Sequence, residues 1–92
     1  MSYVLFESQA VTNVVLTVAD LAPPAAATGV VLLAETGTIR FTMDGTTAPT
    51  TSTGMMLKIT DPPTEFHLED LKNIKFIRNA AQDAVLLVHY FK

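Results

Sequence analysis

The side chains able to do acid–base or metal chemistry near neutral pH are few. The chain has two histidines, nine Asp or Glu residues and no cysteine. The lack of cysteine excludes disulfides, thiolate metal sites and a thiol nucleophile. His67 stands between Phe66 and Leu68 and His89 between Val88 and Tyr90, both in alternating stretches, and neither has a neighbour spaced as a metal or triad partner. Glu65, Glu69 and Asp70 offer paired carboxylates, but they flank strand-like residues and are expected to face water. A hard cation at Asp44 needs six to eight oxygens, and Thr46 and Thr47 are poor substitutes for carboxylates. The four glycines, at 29, 37, 45 and 54, are scattered and form no phosphate-cradling loop. The sequence therefore predicts no catalytic residue, no metal site and no cofactor, and hence a protein that is not an enzyme.

Size and charge narrow the remaining classes. Ninety-two residues make one domain, spanning 1–92. The apolar share of 49% can build a core, though a thin one for a chain that orders this many residues. Extra burial against a partner, whether another protein or a second copy, follows naturally from that balance. A net charge of −3 with only six Lys and Arg lacks the basic footprint of nucleic-acid binding. The longest near-apolar run, 29–34, is too short to cross a bilayer, and the opening residues lack the positive region of a signal peptide. These features predict a soluble protein made in the cytoplasm, complete from Met1 and without membrane association.

The elements that must position any contact residues read as strands. Stretches 3–7 and 11–18 are rich in β-branched residues, with Thr12, Val14, Leu16 and Val18 sharing one face. Pro23-Pro24 interrupts the pattern. At 28–35, Val30 and Leu32 oppose Val31 and Leu33, so both faces are apolar; such a strand lies inside a protein or has its outer face covered by a partner. Ile39, Phe41 and Met43 alternate with Thr38, Arg40 and Thr42, and Asp44-Gly45 then supplies a turn. A strand restarting at 54–60 is expected to turn Met55, Leu57 and Ile59 inward. Alternation resumes at 64–69, residues 69–73 suit one helical turn, and strands at 74–79 and 83–91 are expected to pair across a short connection. Seven to eight short strands at this spacing predict an all-β fold, an antiparallel β-sandwich with an immunoglobulin-like or jelly-roll-like path.

The segment 44–54 is the least ordinary part of the chain. It holds five Thr, one Ser and Pro49 and almost no charge. Hydroxyls bond local backbone and Pro49 restricts φ, so the loop can be ordered without an apolar anchor. It reads either as a solvated hairpin loop or as a contact loop on a rigid scaffold. As an interface it would present Asp44, Thr46, Thr47, Pro49, Thr50 and Thr51. Arg40, Arg78 and Tyr90 are further candidates, the two arginines having intramolecular ion pairing as their plainer role. Segment 21–27 and the outward faces of 29–34 and 84–91 complete the candidate contact surface.

The stretch "TGTIRFTMDGTTAPTTSTGMML", followed by "FHLEDLKNIKFIRNAAQDAVLLVHYF", resembles a group of small tailed-bacteriophage structural proteins. The shared pattern is a strand of the "IRFT.DGT.PT" kind, a "TG" restart, a late "L...KFIR" segment and a final apolar strand ending in aromatics. It covers roughly residues 36 to 91, and "TTAPTT" is one residue longer than the usual tip. The resemblance implies a virion component assembled in host cytoplasm, such as a decoration (cement) protein on the capsid surface that bridges neighbouring subunits. Its partners would be the major capsid protein, other virion proteins, or copies of itself, as in a trimer. A neck or tail accessory or adaptor is the variant of this reading that differs in copy number. A carbohydrate-binding sandwich module is the alternative from another class, and it requires an exposed aromatic cluster.

Overall fold

A computed structural model describes residues 2–92. Seven strands form two antiparallel sheets: β1 (Tyr3–Val11), β2 (Gly29–Thr36), β3 (Ile39–Thr42), β4 (Met55–Leu57), β5 (Thr64–His67), β6 (Lys75–Arg78) and β7 (Ala84–Phe91). A 3₁₀ turn covers Val18–Asp20 and a single helical turn, α1, covers Leu68–Leu71. One sheet has the order β1-β7-β2-β5 and the other β4-β3-β6. The fold is the all-β sandwich that the period-two pattern predicts.

The path is that of a jelly roll. Leu16 forms an isolated antiparallel bridge with Phe76 of β6, each backbone N–H donating to the other's carbonyl at 2.8 Å. Counting that segment as a vestigial strand gives eight, arranged 1-8-3-6 over 2-7-4-5, which is the jelly-roll order and not the immunoglobulin one. Here the structure corrects the expectation of a full strand at 11–18. β1 runs through to Val11, Thr12 and Leu16 touch β6 only at single points, and Val18 enters the 3₁₀ turn. Asp20 closes that turn by accepting from the Thr17 N–H at 2.9 Å. The local hydrogen bond outcompetes continued pairing, despite good β-propensity in the sequence.

One contiguous core lies between the sheets. Alternation delivers Val30, Leu32 and Ala34 from β2 and Ala84, Leu86, Val88 and Tyr90 from β7 to one side. Ile39, Phe41, Leu57 and Phe76 meet them from the smaller sheet, and Leu71 of α1 with Ile74 closes one end. Each fully buried Leu, Ile or Val contributes about 1.5–3 kcal/mol.

Three further expectations change. Met55 and Ile59 are not buried: they are 58% and 56% exposed, Ile59 because β4 ends at Leu57 and Met55 because it opens an edge strand with no neighbour on its far side. Met43 lies past the end of β3 and is likewise exposed. The strands β6 and β7 do not form a hairpin; they belong to different sheets, and the connection 79–83 crosses between them. By contrast, β3 and β4 pair across the Thr-rich loop as the Asp-Gly turn predicts, with Arg40 opposite Met56, and Gly45 at φ 78°.

Candidate interaction surface

The residues with apolar side chains on both faces of β2 and β7 generate the most conspicuous surface of the molecule. Once the even-numbered positions of both strands enter the core, the odd-numbered ones point outward. Register then aligns Val31 with His89 and Leu33 with Leu87. On the other side of β7, β1 sets Tyr3 beside Phe91 and Phe6 beside His89. The outer face of the four-stranded sheet therefore reads Tyr3, Phe6, Val31, Leu33, Val85, Leu87, His89 and Phe91, with Glu65 and His67 of β5 along one side. These positions are half-buried or exposed, never buried. A shallow depression of about 180 Å³ crosses the sheet, bounded by Phe6, Val31, Leu33, Pro63, Leu87 and His89. Large contiguous apolar patches are uncommon on the surface of small monomeric domains.

Aromatic rings cluster at one end of that face. The rings of Tyr3 and His89 lie 4.3 Å apart and tilted, Phe6 meets His89 edge-on at 5.6 Å, and Tyr3 meets Phe91 edge-on at 6.2 Å. Tyr3 and Phe6 are each 54% exposed. Tyr3 and Phe6 stand near one end of the sequence and His89 and Phe91 near the other. Pairing of the first strand with the last is what assembles the cluster, and no local pattern reports that pairing.

The same strand β1 is an open edge. It is nine residues long and pairs only with β7, so its outer N–H and C=O groups meet no protein partner among residues 2–92. Other edges are protected: β5 has four residues, carries Glu65 and follows Pro62-Pro63; β4 has three residues. β6 carries Lys75 and Arg78 and is partly capped by Thr12 and Leu16. β1 is long and carries no proline, and its protection is limited to a register irregularity between Tyr3 and Leu5 and to one inward charge, Glu7, which accepts from the Tyr90 hydroxyl and the Ala22 N–H. Its neighbour across the sandwich is the vestigial strand, so inward-pointing Leu5 also stays exposed.

The Thr-rich loop is ordered by its own polar groups. Asp44 Oδ1 accepts from the N–H groups of Thr46 and Thr47 at 3.0 and 2.8 Å, and Thr47 Oγ1 donates to Asp44 Oδ2. These three donors, the Thr47 hydroxyl foremost, hold the Asp44 carboxyl down at about 2. Thr50 and Thr53 exchange backbone bonds, and Ala80 N–H donates to Thr51 O, tying the loop to the connection after β6. Asp44, Thr46, Thr47 and Thr50 are exposed, yet the Asp44 carboxylate and the Thr47 and Thr50 hydroxyls are already engaged within the loop. Pro49 is buried and Thr51 half-buried, so the expectation of a wholly presented loop is corrected: packing beside Gly54 withdraws Pro49 from the surface.

Tyr90 is a further correction. It is 0% exposed, an inner-face residue whose hydroxyl donates to Glu7 Oε1 at 2.7 Å, and it presents nothing to a partner. Arg40 Nε donates to Asn79 Oδ1 at 2.8 Å and its Nη1 to Gly54 O at 3.0 Å, clamping the hairpin from outside. Arg78 pairs with Asp83 while its Nε is buried without a partner. Arg78 thus takes the ion-pairing role, while Arg40 is held by neutral oxygens within the chain and has no carboxylate partner among the described residues. Segment 21–27 has its ends, Leu21 and Ala27, in the core, with Ala25 and Ala26 exposed between them.

No group of three or more His, Asp or Glu side chains converges among the described residues. No helix is long and apolar enough to cross a membrane. Comparison with known protein families, curated proteins and solved structures finds no match.

Proposed function

We propose that this chain is a non-enzymatic structural protein of a tailed-bacteriophage virion, most simply a capsid decoration protein. It would work by laying the outer face of its β1-β7-β2 sheet against neighbouring polypeptides. The observation that carries the adhesive part of this reading is the uncovered apolar face itself, bordered by a nine-residue edge strand. The virion part rests on the spaced motif between residues 36 and 91. A protein of this size with a specific interface buries roughly 800 Å² per partner, and repetition over a lattice multiplies a modest contact. The partners are the major capsid protein and further copies of the chain, and the location is the capsid surface. A neck or tail accessory role uses the same surface at lower copy number.

Localisation by imaging of purified particles, together with copy counting by mass spectrometry, tests the reading. Hundreds of copies per particle are expected for decoration and roughly three to twelve for a neck or tail position, following closed symmetry at those sites. Absence of the protein from virions removes it. The second reading, a carbohydrate-binding module, is favoured by one observation, the exposed cluster of Tyr3, Phe6 and His89. Binding to one sugar class on a glycan array, abolished by Y3A, would replace the first reading.

A further inference from the structure

A cavity of about 200 Å³ opens on the side of the sandwich opposite β1, between β4 of one sheet and β5 of the other. It exists because these two edge strands are only three and four residues long and are joined by a turn that supplies no core side chain. That turn is closed at both ends: Asp61 N–H donates to Lys58 O, and Lys58 N–H donates to Asp61 Oδ2 at 2.8 Å. Pro62-Pro63 then directs the chain into β5. The walls are Phe41, Leu57, Phe66 and Phe76, with Met56 at the mouth. Such surroundings suit one ring: an apolar cavity of about 150 Å³ takes up benzene, and a methionine sulfur at a ring edge adds a favourable contact.

The one ionisable side chain lining the cavity is Asp61. Its carboxylate has no ion-pair partner among the described residues, and only one of its oxygens is committed to the turn. Beside it Thr64 is the only other polar residue of the lining, and a mostly apolar chamber with a few polar groups is the usual anatomy of a small-molecule site. We infer that the β4–β5 cavity binds a small organic ammonium ion, its apolar part about the size of one ring, with the ammonium group held by Asp61 at the mouth. The site lies away from the β1-β7-β2 face and does not depend on the docking reading.

Titration of the intact protein with benzylammonium, followed by amide NMR, tests the inference. Saturable shifts at Leu57, Phe66 and Phe76 are expected, with a Kd of about 1 mM for so few atoms. Benzoate at the same concentrations should leave these amides unmoved. D61N, whose side-chain oxygen can still accept from Lys58, should weaken benzylammonium about fivefold and leave toluene binding unchanged. L57F, which fills the chamber, should abolish binding of both; if that variant does not fold, the D61N comparison alone decides. No saturable response to benzylammonium overturns the inference. So does an equal response to benzoate, or an unchanged benzylammonium affinity in D61N.

Discussion

The phenol of Tyr90, at the end of the last strand, donates to Glu7 Oε1 of the first strand at 2.7 Å, joining residues 83 positions apart. Burial, and then the neighbouring Glu7 carboxylate, push the Tyr90 phenol well above its ordinary range. A group that keeps its proton longer when folded than when unfolded contributes stability that is complete below about pH 10 and declines as pH rises beyond it. Chemical denaturation should therefore show a midpoint falling above about pH 10, and Y90F should flatten that fall. At neutral pH, Y90F should cost about 1–2 kcal/mol, because Glu7 keeps the Ala22 N–H but loses its shorter bond.

Asp44 shows the opposite linkage. Its carboxyl is held at about 2 by the Thr47 hydroxyl and the N–H groups of Thr46 and Thr47. A depressed carboxyl contributes order that is present above about pH 4 and lost as pH falls toward 2. The protection of the Thr46 and Thr47 amides, measured as exchange relative to the intrinsic rate at each pH, should fall across that window in the native protein. In D44A that protection should be lost at every pH, and a native protection factor unchanged between about pH 4 and 2 would refute the account.

Gly29 lies opposite Phe91 in register, and a Cβ placed there would overlap the ring. The absent side chain lets an aromatic from the neighbouring strand fold over the backbone. G29A should lower stability by about 1–3 kcal/mol, typical of overpacking. Adding F91A should recover part of that loss, so the pair will be non-additive in thermal melts.

Leu87 and Val31 are half-buried on the outer sheet face, where a lysine side chain can reach water. L87K and V31K should change monomer stability by less than about 1 kcal/mol. Each should nevertheless weaken association at least about tenfold, since a charge is then desolvated in an apolar contact. Sedimentation and co-pelleting with particles provide the readout. Unaltered association in both variants would move the interface elsewhere.

Much of the fold was legible because strand residues alternate. Ile39, Phe41, Leu57, Val30 and Leu32 are buried as their spacing requires, and Asp44-Gly45 turns the chain where its chemistry allows. Alternation fails where a strand ends early. Ile59 looks like Leu57 in sequence yet lies past the end of β4, and Met55, though within β4, sits at the start of an edge strand and stays exposed. Thr12 to Val18 has strand propensity, but the Asp20 carboxylate and the 3₁₀ turn claim its backbone.

By itself, the amino-acid sequence determined the all-β class, the two-faced character of 29–34 and 84–91, and the self-bonded nature of the Thr-rich loop. These are local matters, settled by a repeat of two residues and by hydroxyls within reach of nearby backbone. Tertiary structure alone decided that Tyr3 meets His89, that Tyr90 turns inward to Glu7, and that β4 and β5 leave a chamber between them. Those outcomes depend on which strands become neighbours. Partner choice is made by burial summed over the whole chain, so no single segment carries it.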